Sequence, residues 1–96
     1  MSIAQVSNIS VTDDFRANPP TEEITKRAEA IRAIDGCEHV YALRNSTGGP
    51  GLGILIWRDQ AALDAAADQI ASNRAEVQAL GMTITTDAVY DTFTEL

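Results

Sequence analysis

Very little in this chain can hold a metal or form a disulfide. Among its 96 residues Cys37, His39 and Trp57 are each the sole member of their kind. One cysteine permits no internal disulfide, and one cysteine with one histidine cannot assemble a zinc cluster. Positive charge is also scarce: seven Lys and Arg stand against fourteen Asp and Glu, for a net charge of −7 and a pI near 4.4. Such a surface repels phosphate backbones and anionic headgroups, which argues against nucleic acid and membranes as partners. Apolar runs are short, and the longest, Gly51 to Trp57, falls far below the ~20 residues that span a bilayer. Met1 to Val11 lacks the basic start, apolar centre and small-residue cleavage pattern of a secretory leader. These absences predict a soluble, reduced, cytoplasmic protein. What remains is a globular composition, 45% hydrophobic and 22% charged, sized for a single domain over residues 1–96.

Ile3 to Thr12 is rich in β-branched residues with period-two character and predicts a first strand. Its odd positions carry Ile3, Ile9 and Val11 and its even positions Ala4, Val6 and Asn8, so both faces are expected to be covered. Asp13 to Pro20 reads as a loop closed by Pro19-Pro20. Thr21 is placed to cap a helix over Glu22 to Asp35, with Glu22–Lys26 and Glu23–Arg27 pairs. Its apolar stripe is Ile24, Ala28, Ile31 and Ile34, and Gly36 supplies a left-handed stop. Strands follow over Glu38 to Arg44 and Leu52 to Trp57, joined by a glycine-rich hairpin tip. Asp59 caps a second helix through Leu63, Ala66, Ala67 and Ile70, with a break at Ser72-Asn73 and a stop at Gly81. A last strand lies within Thr83 to Glu95.

The order βαββαβ predicts an α+β, ferredoxin-like fold: a four-stranded antiparallel sheet with both helices on one face. Two helices cover one face only, whereas the first strand is apolar on both. The uncovered face therefore calls for a second copy, giving a homodimer whose sheets meet in a dimeric α/β barrel.

Trp57 followed by Arg58-Asp-Gln-Ala-Ala-Leu63, with the Gly36 stop and the strand Val89-Tyr-Asp-Thr-Phe93, resembles the dimeric α/β-barrel superfamily. Within it the chain resembles the antibiotic biosynthesis monooxygenase domain from Ile3 to Phe93. That resemblance implies oxidation of a small aromatic or polyketide-like phenol by dioxygen without a cofactor. The haem-degrading relatives imply an Asn in the first strand, a Trp in the second helix and a haem-ligating His. Asn8 matches the first mark, but the other two fall at Ala66 and Ala75, which disfavours haem degradation. Quinone-forming relatives imply an Asn and a Trp near the third strand; Trp57 fits the second, and the first falls at Gly53.

The candidate catalytic residues are Asn8, Trp57 and His39, with a substrate pocket walled by Val6, Ile24, Ile31, Leu63 and Ile70. Asn8 would hold the substrate oxyanion if it faces the space between sheet and helices; otherwise its amide bonds a neighbouring backbone. Trp57 would wall an aromatic ring or act as a structural plug. His39 is the default base by residue type, since histidine is the usual general base in catalysis, though an exposed histidine is the plainer reading. Tyr41, Tyr90 and Arg44 are further possible donors, and Cys37 follows a helix stop, which gives no reason for a reactive thiolate. The run Gly48 to Gly53 joins two strands instead of opening a helix, so it is no phosphate loop. A non-catalytic dimeric module that binds a small hydrophobic ligand or serves assembly is the alternative. A cavity of about 300 Å³ or more ending at Asn8 would mark the enzyme, and an interior filled by its own side chains the module.

Overall fold

The structure, a computed structural model, describes residues 1–91, side chains of Thr86 and Asp87 excepted. Expectations for Thr92 and Phe93 lie outside the described residues. The elements are β1 (Ile3–Val11), α1 (Asp13–Ala17), α2 (Thr21–Arg32), β2 (Cys37–Leu43), β3 (Gly51–Trp57), α3 (Gln60–Ala65), α4 (Ala67–Ala79) and β4 (Met82–Asp91). The strands form one antiparallel sheet in the order β2-β3-β1-β4. Each helical crossover returns the chain to a strand parallel to the one it left, with a third strand between. This is the expected ferredoxin-like α+β arrangement.

Local chemistry explains the boundaries. Asp13 to Ala17 is a short helix, not loop, because the Thr12 hydroxyl accepts from Phe15 N at 3.1 Å and two aspartates follow. Thr21 is the first residue of α2 and not its cap; Pro20 holds that place with no side-chain bond, and the Thr21 hydroxyl turns back to Pro19 O. The Glu22–Lys26 pair forms at 3.8 Å, whereas Arg27 leaves Glu23 and reaches across to Glu76 on α4. Asp59 caps α3 as expected, accepting from Ala62 N at 2.8 Å. The break in the second helical segment falls at Ala66 and not at Ser72-Asn73. There the Ala66 N–H is shared between Ala62 O and Leu63 O at 3.2 and 3.1 Å, tightening the turn around a residue that is 1% exposed.

Gly36 takes φ +87°, and a side chain there would collide with Ala62. The turn thus brings α2, β2 and the start of α3 together, and Arg58 N donates to Gly36 O at 2.7 Å.

Strand register sorts the side chains. Ile3, Gln5, Ser7 and Ile9 sit opposite Trp57, Leu55, Gly53 and Gly51, on the face the helices cover. Ile3, Ile31, Trp57, Ala62, Leu63, Ala66 and Ile70 form the core there, joined by Ile34, Cys37, Val40 and Leu55. The other face carries Ala4, Val6 and Asn8 opposite Ile56, Ile54 and Leu52. No helix among the described residues is long and apolar enough to cross a membrane.

Candidate active site

The sheet divides the expected site. Trp57, Ile24, Ile31, Leu63 and Ile70 are on the helix side; Asn8, His39 and Val6 are on the open side. Asn8 is exposed, paired with Leu52 and Thr85, and does not enter the space between sheet and helices. The reason is parity: with Ile3 packed inward, every even position of β1 points away from the helices. His39 does not share a face with Cys37 as strict alternation predicts. A bulge between Cys37 and His39 inserts one residue against β3, so Cys37 faces the helices while His39, Tyr41 and Leu43 face outward. The His39 and Tyr41 rings stack there with centroids 5.9 Å apart. Val6, expected as a pocket wall, packs on this same open face.

The interior holds a different polar set. Gln5 and Ser7 are buried, at 6% and 5% exposure, between Ile3 and Ile9 on the same face of β1. Gln5 Oε1 accepts from Trp57 Nε1 at 3.2 Å, and Trp57 is fully buried. The Ser7 hydroxyl meets the guanidinium of half-buried Arg74 at 3.2 Å. On α4, Arg74 and Asn73 interrupt an inward stripe whose ends are the buried Ile70 and Val77. Two apolar stripes, one on β1 and one on α4, thus turn polar at their centres. The helix cover thins beside this strip, since Gly53 opposite Ser7 carries no side chain and its neighbour Ala42 is exposed.

This arrangement suits an oxyanion. A guanidinium and a hydroxyl, set in largely apolar surroundings, stabilise negative charge more strongly than the same groups in water. Trp57 closes one end and is oriented by Gln5. The sequence carried a signal for these residues: Gln5 and Ser7 at inward-parity positions of β1, and Asn73-Arg74 inside a helical stripe. Reading β1 by its isoleucines alone passes over the first pair.

Two surface grooves flank the helices. One, of about 340 Å³, runs between α2 and α4 over Ile31, Ile34 and Asn73, with Arg27 and Glu76 paired across it. The other, of about 660 Å³, lies beside α1 and the end of α4, lined by Phe15, Pro20 and Leu80. Asn8 lines neither, so the cavity expected to end at Asn8 is not formed by either groove. Ala75 is on the exposed side of α4, away from the interior, while Ala66 is packed in the core. No group of three His, Cys, Asp or Glu among the described residues is placed to hold a metal. Burial pushes the Cys37 thiol above its usual range, an effect that Arg32 opposes.

No family model matches the sequence, and no curated protein matches it. Solved structures do. SnoaB, a cofactor-independent oxygenase from Streptomyces nogalater, superposes with a TM-score of 0.74 at 15% identity, over 99% of this chain and 96% of its own. A provisionally named antibiotic biosynthesis monooxygenase from Deinococcus radiodurans gives 0.69 at 17% identity, covering 100% and 96%. The heme-degrader MhuD from Mycobacterium tuberculosis gives 0.70 at 16% identity, covering 98% of each chain. At such identities the likeness is one of architecture: the chain has the ferredoxin-like fold of antibiotic biosynthesis monooxygenase-like domains.

Proposed function

We propose that this chain is a cofactor-independent monooxygenase that oxidises a small aromatic or polyketide-like phenol with dioxygen. The observation that carries the reading is the Arg74–Ser7 pair set, with Gln5 and Asn73 nearby, in a largely apolar interior. The description of SnoaB as a cofactor-independent oxygenase supports it.

Arg74 and Ser7 hold the substrate as its phenolate, and the phenol proton leaves to water. The electron-rich anion passes one electron to dioxygen, and the resulting superoxide and phenoxyl radical combine at a ring carbon to form a peroxide. Loss of water then leaves one oxygen on that carbon as a carbonyl, so a ring C–H and the phenol O–H become a quinone and one water. Trp57 walls the ring, and the apolar residues Ile31, Leu63 and Ile70 exclude solvent. Asn8 and His39 have no part in this step, since the sheet separates them from it.

The open sheet face carries a second role in the same proposal: it pairs with its counterpart on a second copy. Tyr41, Leu43, Leu52 and Tyr90 on this face are 49%, 48%, 39% and 57% exposed, around Val6, Ile54 and Ile56. An apolar surface of this kind is stabilised by burial against its own copy.

A second reading has its own support. Gln5, Ser7 and Trp57 are almost sealed from solvent, which fits a dimeric binding or assembly module whose interior is filled by its own side chains. Incubation with a panel of anthrone-type phenols, in air and under argon, separates the two. Oxygen uptake matched by quinone formation, lost in Arg74→Met, supports the enzyme; no oxygen-dependent product across the panel supports the module.

A further inference from the structure

Asn73 directly precedes Arg74 on α4 and lines the α2–α4 groove, and its side-chain oxygen is buried without a hydrogen-bond donor among the described residues. Buried polar atoms are normally satisfied, and one that is not calls for an explanation. The unmet group is an acceptor, whereas the next residue, Arg74, carries only donors and gives one of them to Ser7 Oγ. The groove that Asn73 lines has a volume of about 340 Å³, includes the apolar Ile31 and Ile34, and is crossed by the Arg27–Glu76 pair.

We propose that Asn73 is a specificity-determining residue, accepting a hydrogen bond from an un-ionised hydroxyl or N–H on a ligand whose anionic oxygen Arg74 and Ser7 hold. The inference rests on the site assigned above and narrows its substrate class to molecules with two functional groups: one oxygen that carries negative charge, and a second, neutral group that donates. An ether or ketone in the second place meets lone pair against lone pair and is rejected. The buried oxygen gains its missing donor only when such a ligand is bound, so discrimination comes from a hydrogen bond the empty protein lacks.

The test measures binding under argon, so that no oxidation enters it. Calorimetric titration of the full chain uses 2-, 3- and 4-hydroxybenzoate, the three corresponding methoxybenzoates and benzoate; the carboxylate stands in for the phenolate. At least one hydroxybenzoate is expected to bind about fivefold or more tighter than its methyl ether, the worth of one net hydrogen bond. Asn73→Leu, which removes the acceptor and keeps the bulk, is expected to reduce that ratio to near one without weakening benzoate. Asn73→Asp, which keeps an acceptor, is expected to retain the ratio even where its charge weakens every probe. A ratio overall instability cannot mimic is thus the readout. Equal affinity for every hydroxyl and methoxy pair, a preference that survives in Asn73→Leu, or no binding of any probe overturns the assignment. Its fate is separable from that of the oxidation: phenols consumed with oxygen but no hydroxyl preference defeats Asn73 alone. A hydroxyl preference without oxygen uptake defeats the oxidation alone.

Discussion

The indole N–H of Trp57 donates to the side-chain oxygen of Gln5 at 3.2 Å, joining the fully buried end of β3 to the neighbouring strand across the core. Because both partners are buried, the bond matters most for what its loss leaves behind. Trp57→Phe keeps a ring in the core but strands the Gln5 oxygen, so a cost of about 1–3 kcal/mol is expected before any cavity effect. Gln5→Met in the same background removes the orphan. The double variant should therefore lose less than the two single variants summed, by an order of 1 kcal/mol in a urea double-mutant cycle. Additive losses would mean the bond contributes nothing beyond packing.

The left-handed turn at Gly36 makes a sharper demand on sequence. Its φ of +87° excludes most side chains, and a Cβ there would meet Ala62 on α3. Gly36→Ala should cost more than the about 1–2 kcal/mol of the backbone conformation alone. Gly48 shares the same φ but has open space around it, so Gly48→Ala should cost only the backbone part. Comparing the two variants by urea denaturation separates strain from collision.

Most of the architecture was legible because it follows from period and punctuation. Gly36, Asp59 and Gly81 are stops and caps with local causes, and the βαββαβ order restricts the topology to few arrangements. The site was not legible in the same way. Whether Asn8 faces the helices is decided by which parity of β1 the core selects, and Val6 and Ile9 offer apolar residues to both faces. His39 illustrates a second limit: one bulged residue in β2 reverses its face, and no residue between Cys37 and His39 announces it. Trp57, which the sequence offered as either a ring wall or a plug, is fully buried, as a lone large aromatic at a strand-to-helix junction tends to be.

Cys37 offers a pH signature. Burial raises its thiol above the ordinary value of 9.0, with Arg32 and a backbone contact to His39 pulling the other way. A raised folded-state value favours the neutral thiol in the native protein. Its stabilising contribution is therefore present below the unfolded-state value and is lost as pH rises through the folded one. Unfolding free energy should fall more between pH 8 and 10 in the wild type than in Cys37→Ala. Alkylation by iodoacetamide at pH 8 should correspondingly be slower than for a small free thiol. Faster alkylation would place the thiol in a different environment.

Ile54 lies at the centre of the open sheet face, opposite Val6 on one side and Tyr41 on the other. If two copies join through this face, a charge there is buried without a partner and the association fails. Ile54→Glu should halve the mass seen by light scattering at micromolar concentration. The far-UV circular dichroism should remain, because the substituted side chain points away from the core. A wild type that is already monomeric at that concentration would remove the face-to-face assembly.

Arg74 bears the largest catalytic expectation, and pH supplies its control. A guanidinium held 3.2 Å from the Ser7 hydroxyl favours the ionised form of a bound phenol, so it lowers the pH at which that phenol becomes an anion. Arg74→Met should reduce the oxidation rate at pH 7 by roughly 10²–10³, the scale of losing one preorganised oxyanion donor. Without the cation, the phenol must ionise near its own value of about 10, so the variant's rate should climb steadily as pH rises toward 10. The wild-type rate should level off at a lower pH, and the deficit between them should shrink along the way. Arg74→Lys keeps the charge but loses the planar fork, and its profile should plateau between the two. A deficit that stays constant across the whole pH range would mean that Arg74 acts by shaping the interior and not by holding the anion.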